Sequence, residues 1–167
     1  MNRKNIVLIG MPGAGKSTVG VLVAKALGMS FVDTDLLIQE QEQQLLQEMI
    51  NHEGIKEFLK TEEEVILRLQ IENSVIATGG SVICSVAAIN HLQQYGTLIY
   101  LKLTLGEIKA RIKNMASRGI VLEQGQTLAD LYQARASVYE HYADRLVDCS
   151  GLDIENVVSK VIKSVHN

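Results

Sequence analysis

The chain has 167 residues, 47% hydrophobic and 21% charged, and 16 Lys plus Arg against 19 Asp plus Glu leave a formal net charge of -3. That length and balance describe one globular domain with a sizeable core, and exclude a mainly disordered chain, a collagen-like repeat and a disulfide scaffold. With no Trp, two Phe, five Tyr and no basic stripe, the chain lacks the charge and the stacking platforms that nucleic acid demands.

In MNRKNIVLIG two basic residues precede an apolar run too short for a signal-peptide core. Nowhere do about 18 apolar residues follow one another, the length of a membrane-crossing helix, so no membrane partner and a cytoplasmic location are expected. NIVLI at 5–9 reads as a buried strand, and a helix follows over 16–27, closed by Gly28. Further strands are predicted at 31–33, 74–77 (SVIA), 97–101 (TLIYL) and 146–148. Helical periodicity covers 36–50, 56–70, 86–94, 105–116, 128–142 and 154–165. The Gln/Glu-rich stretch 39–47 reads as the solvated side of its helix, since Leu45, Leu46, Met49 and Ile50 give it an apolar one. Short β-branched runs alternating with helices predict an α/β fold, a parallel sheet layered between crossover helices. No repeat and no Pro/Ser-rich boundary divides the chain, so residues 1–167 read as a single domain. The glycine-bearing stretch 117–126 (SRGIVLEQGQ) is long enough to be a lid. Cys84 and Cys149, and His52, His91, His141 and His166, show no metal-ligand or redox spacing and read as structural thiols and surface imidazoles.

The segment GMPGAGKS fits GxxxxGKS, directly after a predicted strand and at the start of a predicted helix. Glycines let a backbone close into a nest of N–H groups around a polyphosphate, and the helix N-terminus adds its positive dipole end. Gly13, Ala14, Gly15, Lys16, Ser17 and Thr18 therefore form a candidate nucleotide cradle. Lys16 would span the β- and γ-phosphates, and Ser17 would hold Mg²⁺. In FVDTD, Asp33 and Asp35 lie at the strand edge that carries the cradle, and point the same way if the strand continues. One suits magnesium and the other a hydroxyl proton; the competing reading is a helix N-cap before Leu36. ATGGS ends the third strand at the same edge, either as a close-approach site at Gly79, Gly80 and Ser81 or as a plain turn. Arg111, Arg118 and Arg135 gather around the lid, where guanidinium forks suit phosphoryl charge or a carboxylate, although each alone also suits a solvated surface.

As a set, GMPGAGKST, FVDTD, EGIKEF, ATGG, the lid Arg and RASVYEHYAD resemble the shikimate kinase family, P-loop kinases of the nucleoside-monophosphate-kinase type, from about residue 4 to residue 148. The resemblance implies a three-layer sandwich with a five-stranded parallel sheet of order 2-3-1-4-5, a substrate-binding helical region over about 34–70 and a lid at about 117–126. It implies transfer of the ATP γ-phosphate to a ring hydroxyl of shikimate by a monomer, with ATP and Mg²⁺ required. By position, Ser17 and Asp33 would take the magnesium, Asp35 the acceptor hydroxyl, Arg118 the transition-state charge and Arg111 the adenine. Gly79 and Gly80 would line the acceptor pocket, and Arg135 would hold the acceptor carboxylate.

Two residues depart from the family. An Arg normally follows the Phe of the substrate helix, whereas Phe58 is followed by Leu59, and the third glycine of the usual GGG is Ser81. Loss of a charge-assisted fork costs about 1.5–3 kcal/mol if nothing replaces it. Lys56, one turn earlier on the same face, is a poorer fork for a carboxylate. Leu59 and Ser81 therefore belong to the candidate substrate-binding set, and keep open a second acceptor, another hydroxy acid, a sugar acid or a polyol. A non-catalytic ATP-binding module and a nucleoside monophosphate kinase are the remaining alternatives. In the lid, Gly119 stands where the family often has Pro, and is expected to loosen that loop.

Overall fold

The computed structural model describes residues 5–112 and 119–166. Along the chain run β1 (Asn5–Ile9), α1 (Lys16–Leu27), β2 (Ser30–Asp33), α2 (Thr34–Glu42), α3 (Leu46–Glu53), α4 (Ile55–Leu67), β3 (Ser74–Ala77), a 3-10 turn (Val82–Cys84), α5 (Val86–Tyr95), β4 (Gly96–Lys102), α6 (Leu105–Ile112), α7 (Leu128–Tyr142), β5 (Arg145–Asp148) and α8 (Ile154–His166). The strands pair in parallel in the order β2-β3-β1-β4-β5. NIVLI occupies the centre because all five of its residues are buried, as a strand covered on both faces requires. α1 packs on β2 and β3 and against α8, while α5 packs on β4 and against α4. The sheet order places the C-terminal ends of β1, β2 and β3 side by side, so the cradle, the FVDTD carboxylates and the ATGG turn share one edge.

The helix predicted over 36–50 is two helices. Its start lies at Thr34, because Asp33 Oδ1 accepts from the N–H groups of Asp35 (3.0 Å) and Leu36 (3.4 Å) and caps α2. Asp35 thus stands in the first turn of a helix, not on a continuing strand. α2 ends where Gln43 turns left-handed at φ 53°, and the Glu48 carboxylate accepts from the Leu45 N–H to open α3. α4 ends at Leu67, short of the expected residue 70, and of the helix expected over 105–116 the described part is Leu105–Ile112.

A second, smaller core joins the helices of the 34–70 region. Ile38, Leu46, Met49, Phe58 and Val65 pack together with Val121 of the loop beyond residue 118. Among the described residues no helix is long and apolar enough to cross a membrane.

Candidate active site

Between β1 and α1 the backbone wraps through left-handed Gly13 (φ 81°) and Gly15 (φ 90°), the latter capping α1. These angles suit glycine, because a Cβ would clash with its own backbone. The loop opens the N-terminal end of α1 toward a cavity of about 380 Å³. Lys16 is 8% exposed, and its Nζ donates to the carbonyls of Gly10 (2.7 Å) and Met11 (2.9 Å). Burial pushes its ammonium down to about 8, against the opposing pull of the Asp35 charge. Next to it, Ser17 Oγ donates to Asp33 Oδ2 at 2.5 Å. Capping and metal binding therefore do not compete at Asp33, since Oδ1 caps α2 while Oδ2 faces Ser17.

Gly13, Gly15, Lys16, Ser17, Thr18, Asp35, Gly79, Gly80, Ser81, Arg111 and Arg135 all line the cavity. Ala14 is buried behind the loop, and Asp33 reaches the site through Ser17. Arg111 Nη1 donates to the carbonyls of Gly13 (3.3 Å) and Ala14 (3.2 Å), which lays its guanidinium along the outer rim of the cradle. Arg118 lies outside the described residues. Leu59 is not in the cavity wall. A helix turns about 100° per residue, so α4 presents Phe58 to the cavity and Leu59 to an adjoining hollow of about 280 Å³ shared with Glu62, Ser81 and Cys84.

At Gly79 two carboxyl groups crowd the cavity wall. A Cβ there would lie 2.6 Å from Glu62 Oε2 and 2.8 Å from Asp35 Oδ1, so the turn must be bare for two carboxyl groups to converge on it. Glu62 is 3% exposed and accepts from Ser81 Oγ at 2.9 and 3.0 Å. Burial first, and the Asp35 charge second, push its carboxyl up to about 7. Opposite, Arg135 is 6% exposed with Nη1 buried and without a hydrogen-bond partner. Tyr139, one turn further along α7, bonds Arg135 and donates its hydroxyl to the Gly80 carbonyl at 2.5 Å. Tyr139 stacks on Tyr100 of β4, the ring centroids 5.1 Å apart, which ties the arginine's helix to the sheet.

Glu62 and Tyr139 are site residues absent from the sequence-based set. Both carried a signal: Glu62 lies at i+4 from Phe58 and i-3 from Val65, on the buried stripe of α4, and Tyr139 lies at i+4 from Arg135. The segment expected to be a lid supplies Gly119, Ile120 and Val121 to the cavity wall. A Cβ on Gly119 would come 2.5 Å from Leu46 Cβ. The glycine thus serves close docking on α3, where the sequence pointed only to a looser loop.

Among the described residues no group of three or more His, Cys, Asp or Glu could hold a metal. The oxygen pair of Ser17 and Asp33 nonetheless suits Mg²⁺, which keeps most of its waters and binds through one or two protein oxygens plus substrate phosphates.

The shikimate kinase family profile matches residues 12–166. The chain belongs to the shikimate kinase family. A shikimate kinase of Thermodesulfovibrio yellowstonii is 37% identical over 163 residues, covering 96% of this chain and 94% of that protein. Threonine synthase-like 1 of Homo sapiens is 34% identical over 165 residues, which are 97% of this chain but 22% of that protein. Among solved structures, a shikimate kinase from Acinetobacter baumannii in complex with shikimate superposes with a TM-score of 0.89 at 27% identity, covering 96% of this chain and 92% of that one. This member of the shikimate kinase family is an ATP-dependent kinase with the five-stranded P-loop fold.

Proposed function

We propose that this kinase transfers the γ-phosphoryl group of ATP to a hydroxyl of shikimate, with Mg²⁺ as cofactor. The observation that carries the reading is one cavity in which the Lys16 cradle, the Asp35 carboxyl and the buried guanidinium of Arg135, its Nη1 without a hydrogen-bond partner, meet. Phosphates on the cradle and a carboxylate on Arg135 place an acceptor hydroxyl beside Asp35. The relative solved with shikimate has the same fold along nearly its whole length. The working unit proposed is a monomer.

Phosphoryl transfer through a loose transition state is largely positioning and charge neutralisation. Lys16, freed from its loop carbonyls, bonds the β- and γ-phosphate oxygens. Ser17 and Asp33 would hold Mg²⁺, which supplies charge neutralisation at the phosphates. Asp35 orients the acceptor hydroxyl and takes its proton as the oxygen attacks, while Arg135 holds the acceptor carboxylate. Arg111 lies where a nucleotide base would leave the cradle, and Arg118 is assigned the developing phosphoryl charge. The lid residues Ile120 and Val121 close the cavity roof and keep water from the γ-phosphate. Phosphorus NMR of the products of ATP and shikimate tests the reading: a new phosphate ester on shikimate is expected, and ADP with inorganic phosphate alone contradicts it.

A second reading, the same chemistry on another hydroxy acid, sugar acid or polyol, is favoured by one observation. Among the described residues, Leu59 leaves Arg135 without a second arginine in the acceptor wall. Turnover of gluconate or glycerate in preference to shikimate would establish it.

A further inference from the structure

Two cations hold the cradle by its carbonyl groups. Lys16 Nζ donates to Gly10 and Met11, and Arg111 Nη1 donates to Gly13 at 3.3 Å and to Ala14 at 3.2 Å. A terminal guanidinium nitrogen carries two hydrogens, so one nitrogen serves both carbonyls. The C=O and N–H of a trans peptide point in opposite directions. From outside the loop, Arg111 therefore fixes the two peptide planes whose other ends are the N–H groups of Ala14 and Gly15. The first of these donates to the Met11 carbonyl at 3.1 Å and closes the turn, and the second belongs to the left-handed residue that caps α1. The arginine is itself anchored. It follows Ile108, which is fully buried, by three residues on α6. At the start of that helix the Glu107 carboxylate accepts from Thr104 and, at 2.8 Å, from the Gly151 N–H, which ties α6 to the loop after β5. At its end α6 packs tightly on the cradle: a Cβ on Gly13 would lie 3.2 Å from Ile112 Cγ1, and one on Gly15 would lie 3.4 Å from Arg111 Nη1.

We propose that Arg111 is a positioning residue of the donor site, which braces the cradle through the Gly13 and Ala14 carbonyls and keeps the loop's N–H groups in place when Lys16 leaves Gly10 and Met11 for the phosphates. Lys16 cannot do this itself, because its own carbonyl bonds are the ones given up on binding. The brace is separate from any contact with a nucleotide base. It acts equally on a polyphosphate that carries no base, and it acts on the loop before any ligand arrives. The proposal rests on the donor half of the reading above, the cradle as the phosphate site, and is independent of the acceptor.

The test compares the full chain with Arg111→Met, which keeps an apolar stem and removes the donors, and Arg111→Lys. The probes are Mg²⁺-ATP and magnesium with inorganic tripolyphosphate, which has the phosphate chain of ATP and no base. By calorimetry, Arg111→Met is expected to weaken both ligands by about tenfold or more, the scale of a lost hydrogen bond from a charged group. Arg111→Lys recovers most of the tripolyphosphate affinity, since one ammonium spans two neighbouring carbonyls as Lys16 does. Amide hydrogen exchange in the ligand-free protein supplies the readout that a base or phosphate contact would not move. The Ala14 N–H is expected to exchange about tenfold faster in Arg111→Met, as local opening of the turn becomes easier, and near the parent rate in Arg111→Lys. The β1 amides, exchanging as in the parent, show the fold intact. Ala14 exchange at the parent rate in Arg111→Met overturns the proposal whatever the affinities, and so does a loss confined to ATP with tripolyphosphate binding unchanged. If Lys16→Ala binds both probes as tightly as the parent, the donor reading fails, and the Ala14 exchange rate still decides for or against the brace.

Discussion

Lys16 and Gly79 both line the cavity, at the donor and acceptor ends proposed for it, and each yields a separate test. Burial holds the Lys16 ammonium down to about 8, so the free enzyme loses the charge proposed to bind phosphate as pH rises past that point. Since kcat/KM reports the free enzyme, kcat/KM for ATP is expected to fall above about pH 8; a profile flat beyond pH 9 by initial-rate kinetics would contradict this. Gly79→Ala drives a methyl group between the Glu62 and Asp35 carboxyls at 2.6 and 2.8 Å. Kinetics with saturating ATP should show kcat/KM for the acceptor down by about tenfold or more, as a misplaced acceptor group implies. ATP affinity, measured by calorimetry, should stay near the parent value, because the cradle is built on β1 and α1. At this scale the P-loop was legible in the sequence because its glycine spacing is imposed by phosphate geometry. Glu62 was not, because it sits in a run of three glutamates and only the fold shows which one turns inward.

At the scale of elements, α2, α3 and α4 form a small body whose core extends into the lid through Val121. In the proposed lid, closure and packing on these helices are one event, since withdrawing Val121 would open the core of Ile38, Leu46 and Met49. Gly119→Ala, whose Cβ would strike Leu46 Cβ at 2.5 Å, should push the lid off α3. Expected is a higher ratio of ATP hydrolysis to phosphoryl transfer, measured as ADP release against ester formed; an unchanged ratio would separate lid docking from water exclusion. The break between α2 and α3 was hidden in the sequence because Gln43 carries no turn signature, yet it adopts φ 53° there. The early start of α2 was hidden for another reason: in FVDTD the sequence offered a continuing strand or a cap directly before Leu36, whereas the carboxylate of Asp33 caps the helix two residues earlier.

Over the whole molecule, the parallel strands were readable from β-branched runs of buried length, and the sheet order came with the family resemblance rather than from any single segment. That order is what carries function, since it gathers three loops distant in sequence at one sheet edge. The remaining question at this scale is whether an acceptor wall with one arginine, one buried acid and no charge at 59 still holds shikimate. ADP release by the purified protein with Mg²⁺-ATP, titrated with shikimate and corrected by the Lys16→Ala variant, answers it most directly. The account predicts saturable stimulation by shikimate that Lys16→Ala abolishes while remaining folded; ATP binding with no stimulation by shikimate would contradict it.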